Sequence, residues 1–238
     1  MEPWRCGLAL FTPSLPRVYS LNLMEVSDPQ GLSAHELIAE AERVQGAAGM
    51  PHRKLRVPHE AYAAGLAGDF AALGWQVQRH VAMALHREPD RPATAPVEEV
   101  DRPAIRPAQE TYLRSEAFVT DEDILWQLLG QEPRIERAVS VRYFAARVGG
   151  EVVSYAKLYS DGRVGQVEDV ATLTPHRRRG LARAVVLAAA DASRAAGHEL
   201  TFIVADDDDW PKELYARLGF DRLGLVHNFI RQPRRATG

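Results

Sequence analysis

The segment Thr172-Leu173-Thr174-Pro175-His176-Arg177-Arg178-Arg179-Gly180-Leu181-Ala182 constrains the fold more than any other part of this chain of 238 residues. A strand-like run, Val164 to Ala171, leads into it, and a long alanine-rich helical pattern leads out. A strand that ends in a basic, glycine-containing loop and then a helix N-terminus is an anion trap. The first helical N–H groups have no intrahelical partner, and the helix dipole favours negative charge there. Gly180 has no side chain, so an anion can approach the backbone closely. Three consecutive arginines add positive charge.

The surrounding pattern is that of a mixed sheet. Ile105–Phe118 and Asp121–Leu129 read as helices, with Thr120 or Asp121 as an N-cap. Val139–Val148 and Val152–Tyr159 read as strands joined by the two-residue turn Gly149-Gly150, and Asp161-Gly162 turns into Val164–Leu173. The period then changes. Gly180–Ala196 has helical spacing, and Gly197 suits its C-terminus. Leu200–Ala205 is a buried strand, Trp210–Leu218 a short helix capped by Asp208 or Asp209, and Leu223–Ile230 a last strand.

Two motifs in this order resemble the GNAT acetyltransferase superfamily. Arg177-x-x-Gly180-x-Ala182 is similar to its acyl-CoA loop, Gln/Arg-x-x-Gly-x-Gly/Ala. Leu214-Tyr215-Ala216-Arg217-Leu218-Gly219-Phe220 is similar to the Leu-Tyr-x-x-x-Gly-Phe signature near the end of its domains. The two lie about one βαβ unit apart. The resemblance implies an α/β (α+β) GNAT fold: a mixed, mostly antiparallel sheet with a βαβ acyl-CoA-binding crossover. It also implies acetyl-CoA as co-substrate and transfer of its acetyl group to an amine by direct attack in a ternary complex.

The resemblance assigns roles residue by residue. Thr172 sits where a bulge splays the strand and backbone groups meet the thioester. Arg177, Arg178, Arg179, Gly180, Leu181, Ala182 and Arg183 would hold the pyrophosphate. Tyr215 would protonate the departing thiolate, for which a phenol, neutral at pH 7, is suited. Glu168 is the candidate base. Strand alternation places it with Gln166 and Val170, and Asp169 on the other face; which face meets substrate is not readable, so Asp169 stays a rival. Asp206–Asp209 read mostly as capping and solvated surface, and His176 and His227 as surface or structural residues.

Composition narrows the alternatives. The net charge of −3 disfavours a nucleic-acid partner. Cys6 is the only cysteine, so neither an intrachain disulfide nor a cysteine metal cluster is expected, and no metal site is indicated. The longest apolar run, Ala184–Ala190, is too short for a bilayer. A soluble, cytoplasmic location is the default expectation. The acceptor, a small molecule or a protein amine, and the oligomeric state are not readable. The rival reading is a non-catalytic module that binds acyl-CoA.

Five prolines between Pro89 and Pro107 mark an exposed connection. The expected division is therefore 1–88, a linker at 89–96, and the acetyltransferase domain at 97–238. In the first part, Val18–Leu23, Ser33–Gln45, His52–Val57, Glu60–Leu73 and Val77–Leu85 read as β-α-β-α-β, with Leu73-Gly74-Trp75 standing where Leu218-Gly219-Phe220 stands later. This is either a degenerate GNAT-like half-repeat or an unrelated α/β extension. Its loop, Ser27–Leu32, is acidic and lacks the arginines, so only one cofactor site is expected.

Overall fold

Contacts divide the chain into two compact units, and the division is not sequential. Among the described residues, one unit contains Met1–Val81, Asp206–Asp208 and Gly224–Pro233; the other contains Ala82–Ala205 and Asp209–Leu223. The structure is a computed structural model and describes residues 1–233. The expected cut at 88–97 assigned the whole C-terminal segment to one domain. The last strand instead finds its pairing partner in the N-terminal half, which local sequence cannot announce.

The first unit opens with a hairpin that the sequence pattern did not suggest, β1 (Glu2–Trp4) and β2 (Gly7–Leu10). The strand expected at Val18–Leu23 is displaced. Tyr19–Leu21 form a 3-10 turn, and β3 runs from Leu23 to Val26. The cause is Asn22, whose Nδ2 donates to the carbonyls of Leu15 (2.8 Å) and Val18 (2.9 Å), while its Oδ1 accepts from Thr12 N–H (2.7 Å). These local bonds compete with a ladder. Then come α1 (Ala34–Ala47), β4 (Arg53–Val57), α2 (Glu60–Ala72) and β5 (Gln76–Leu85). β3 and β4 are parallel across the α1 crossover, with Met24 opposite Leu55.

The second unit begins with β6 (Glu98–Val100) and α3 (Arg102–Ser115), whose N-cap Asp101 accepts from Ala104 N–H at 3.1 Å. α4 (Glu122–Gly130) is capped by Asp121, as its sequence suggested. α5 (Glu132–Ala138) was not foreseen, being a single short polar segment. β7 (Ser140–Val148) and β8 (Glu151–Ser160) meet at Gly149 and Gly150, both at positive φ (61° and 86°), as the tight turn requires. β9 (Val164–Thr172), α6 (Leu181–Ala195), β10 (Leu200–Asp206) and α7 (Pro211–Arg217) follow. β11 (Phe220–Arg231) begins in this unit and ends in the first. α7 starts from Trp210 without a side-chain cap. The expected caps fail because both carboxylates are engaged elsewhere: Asp209 accepts from Trp210 N–H (2.7 Å) and Asp208 is ion-paired with Arg79.

In this unit the strand order is β10-β9-β8-β7-β6, antiparallel except for the β9–β10 pair, which is parallel across α6. That is the βαβ crossover. α6 buries Leu181, Val185, Val186 and Leu187 and packs along β7, β8 and β9; burying each such side chain stabilises by about 1.5–3 kcal/mol. Ile105 and Ala108 of α3 pack with Tyr143, Ala145, Tyr155 and Ala171. In the first unit, β11 pairs antiparallel with β4, His227 opposite Val57 and Phe229 opposite Leu55. Phe229 stacks on Phe70 at 3.9 Å, and Trp75 meets Phe70 edge-on at 5.3 Å. The first unit thus repeats the β-α-β-α-β order of the second. No helix among the described residues is long and apolar enough to cross a membrane.

Candidate active site

A cavity of about 640 Å³ opens at the C-terminal end of β9, walled by the loop into α6, by α7 and by α3. Its origin is a fault in the sheet. β9 and β10 pair only as far as Val167 opposite Ile203, although both strands continue. Beyond that point β9 holds one residue too many against β8: Lys157 faces Glu168, and Tyr155 faces Ala171. The extra residue is a bulge, and Asp169 takes φ 50° to make it. The bulge was expected at Thr172 and lies three residues earlier. Thr172 itself stands opposite Ser154, their hydroxyls 2.8 Å apart. Leu173 N–H donates to Val153 on β8 (2.9 Å), so alternation turns Thr172 N–H to the other edge, the one β10 has left. Val170, Ala171 and Thr172 accordingly line the cavity.

Asp169 keeps its conformation through Lys157. This lysine is fully buried and ion-paired with both Asp169 and Glu132. Burial disfavours its charge, but the two carboxylates more than offset that, and its pKa stays above the ordinary value. Asp169 is thereby committed to an ion pair.

The loop that follows is shaped by two left-handed residues, Arg178 (φ 62°) and Gly180 (φ 76°). The first intrahelical bond of α6 runs from Ala184 N–H to the Gly180 carbonyl (3.1 Å), and no side chain caps the helix. Leu181, Ala182 and Arg183 therefore have N–H groups with no intrahelical acceptor. A Cβ at Gly180 would meet no atom within 4 Å, so the space beside this backbone is open. His176 Nδ1, on the same wall, is buried without a hydrogen-bond partner among the described residues. These features fit an anionic ligand that accepts hydrogen bonds. α1 is the contrast. Its N-terminus is closed by a capping box in which Glu36 accepts from Ser33 N–H (2.8 Å) and Oγ (2.7 Å) and Ser33 Oγ accepts from Glu36 N–H. A carboxylate already occupies the place an anion would take.

Of the residues singled out from sequence, Thr172, Arg177, Arg178, Gly180, Leu181, Ala182, Arg183 and Tyr215 line the cavity, whereas Arg179 and Glu168 do not. Arg177 Nε is bonded to the Thr172 carbonyl (3.1 Å) and Arg179 to that of Pro175 (3.3 Å). Arg183 is buried, its guanidinium 2.6 Å from Asp90. Tyr215 is 7% exposed, and burial, then the nearby Glu168, Tyr112 and Asp209, raise its pKa well above that of a free phenol. Glu168 is half-buried, its carboxylate accepting from the Gln166 amide. Burial, reinforced by Asp169, pushes it up to about 7. His227 is buried in the first unit.

Sequence reasoning missed Arg91, Tyr112, Glu116 and Trp210, which also line the cavity. Tyr112 lies in the last turn of α3 and Glu116 is the residue that ends it, and burial, then Glu116, pushes the Tyr112 phenol up to about 12. Their i, i+4 spacing was visible; that this face of α3 borders a cavity was not.

Residues 104–220 match the family model of the GNAT acetyltransferases. No curated protein matches the sequence. A conserved protein of unknown function from Staphylococcus epidermidis is similar in structure, with a TM-score of 0.72 and 14% identity over 94% of this chain and 90% of its own. So is a tandem GNAT protein from the clavulanic acid biosynthesis pathway (TM-score 0.58, 14% identity, 85% and 70% covered). An acetyltransferase of the GNAT family from Colwellia psychrerythraea gives a TM-score of 0.51 at 13% identity, with 76% and 65% covered. At these identities the likeness is one of fold, and the tandem protein fits the repeated order seen here. The matched segment contains the splayed strand, the open loop and the tyrosine helix, and residues 104–220 form a GNAT acetyltransferase domain.

Proposed function

We propose that this protein is an N-acetyltransferase that uses acetyl-CoA and passes the acetyl group directly to an amine. The observation that carries this is the uncapped N-terminus of α6 opening onto a cavity that also receives Tyr215 and the splayed end of β9. N–H groups from Arg178 to Ala182 bind the pyrophosphate, assisted by the charges of Arg177 and Arg178. When bound, the coenzyme supplies an activated acyl thioester. Thr172 N–H, unpaired at the strand edge, polarises the acyl carbonyl. Glu168, through water because it is not on the cavity wall, takes the proton the attacking amine loses. Its pKa near 7 suits that task at neutral pH. Tyr215, held protonated by its raised pKa, donates a proton to the sulfur as the carbon–sulfur bond breaks. Cys6 is fully buried in the first unit, which disfavours an acyl-cysteine intermediate.

The test is calorimetric titration with acetyl-CoA, followed by thiol release against a panel of small amines, peptide N-termini and lysine peptides. One binding site per chain and amine-dependent thiol release are expected. Binding without release for any amine would favour a non-catalytic acyl-CoA module.

A further inference from the structure

The segment between β5 and β6 is not a free connection. His86 and Arg87 N–H both donate to the Gly219 carbonyl (3.0 and 3.1 Å), and Asp90 N–H donates to that of Arg217 (2.9 Å). Arg87 also donates to Asp221 (2.8 Å) and to the Ala216 carbonyl (3.0 Å). Residues 86–91 therefore lie as a strap over the end of α7. Gly219 is glycine for this reason. At φ 97°, its Cβ would stand 2.1 Å from the Arg87 carbonyl oxygen. The corresponding Gly74 in the first half has open space at that point.

The far end of the strap is fixed to the loop helix. Arg183, buried in the first turn of α6, pairs with Asp90 at 2.6 Å and donates to the Arg91 carbonyl at 2.9 Å. Arg183's hydrogen bond holds the Asp90 carboxyl below its ordinary range. Arg183 is thus occupied with the strap, and its neighbour there, Arg91, is exposed on the cavity wall beside Arg177 and Arg178.

We propose that the strap is part of the coenzyme site and that Arg91, which lies outside the matched segment 104–220, binds a phosphate of coenzyme A. The proposal rests on the coenzyme reading above. Arg183 gives up phosphate binding to hold the strap, and the strap returns an arginine to the cavity mouth. A planar guanidinium there matches phosphate oxygens in pairs.

The test compares coenzyme A and 3′-dephospho-coenzyme A binding to the full chain, to Arg91→Ala and to Arg163→Ala. Arg163 is an exposed arginine paired with Glu199 and controls for the loss of one positive charge. Arg91→Ala should weaken coenzyme A binding about tenfold, with Arg163→Ala unchanged. A loss shared by both ligands assigns Arg91 to the pyrophosphate; a loss seen only with coenzyme A assigns it to the 3′-phosphate. If the unaltered chain binds coenzyme A and Arg91→Ala binds it within twofold as well, the proposal is overturned and the coenzyme reading stands. If the unaltered chain does not bind at all, the coenzyme reading itself fails.

Discussion

Tyr215 and Glu168 show how far a residue type carries a role. The tyrosine was legible because Gly219-Phe220 fixes its alignment, and it does line the cavity. Tyr215→Phe should leave coenzyme affinity nearly intact and slow turnover on the order of 10²-fold if proton donation is lost. Equal turnover, with chemistry shown to limit the rate, would make Tyr215 a packing residue. Glu168 and Asp169 were indistinguishable in sequence. The structure separates them by giving Asp169 a buried partner in Lys157. Glu168 has a folded-state pKa of about 7, above its ordinary value of 4.5. Between those values the folded protein binds the proton that the unfolded chain releases, so stability falls as pH rises through this window. Glu168→Gln should therefore melt higher than the parent protein at pH 8, and the advantage should shrink as pH falls towards 4.5. Thermal melts across that range check it; a difference independent of pH would mean that Glu168 is an ordinary surface acid.

Two helices of the same order, α1 and α6, differ at one turn. α1 is closed by Ser33 and Glu36, while α6 begins at a bare glycine in the left-handed region. The open start of α6 was readable as Arg177-x-x-Gly180-x-Ala182; ahead of α1 only the acidic loop without arginines was read, and its capping box was not. Gly180→Ala and Gly180→Glu share the backbone strain of a side chain at φ 76°. Only Gly180→Glu adds a carboxylate where the anion should lie. Acetyl-CoA should bind Gly180→Glu far more weakly than Gly180→Ala, and titration of the two variants reads the difference. Equal affinities would remove the helix N-terminus from the site. At the same scale, α5, β6 and the hairpin of β1 and β2 escaped sequence reading because short segments carry too few periods to register. The strap escaped because prolines mimic a linker, and its hydrogen bonds run to residues between 92 and 134 positions away.

At the scale of the whole molecule, the end of the last strand, Gly224–Arg231, belongs with the first unit although it is far from it in sequence. Phe229, fully buried between Phe70 and its neighbours, should cost about 3–5 kcal/mol when changed to alanine, measured by denaturant unfolding. A chain lacking residues 1–81 would leave Phe229 without β4 and Phe70, and should be less soluble and melt lower than the full chain. If it is as soluble and heat-stable as the parent, the β4–β11 pairing is dispensable. The sequence alone determined the order of the longer elements, the crossover helix, the arginine–glycine loop and the tyrosine signature, because periodicity, turn chemistry and helix ends are local effects. Only the tertiary structure decided which acid is free, where β9 bulges, that Arg183 is buried while Arg91 faces the cavity, and which strand β11 joins. Each of these depends on pairings between residues far apart in the chain, and no local propensity encodes a distant partner.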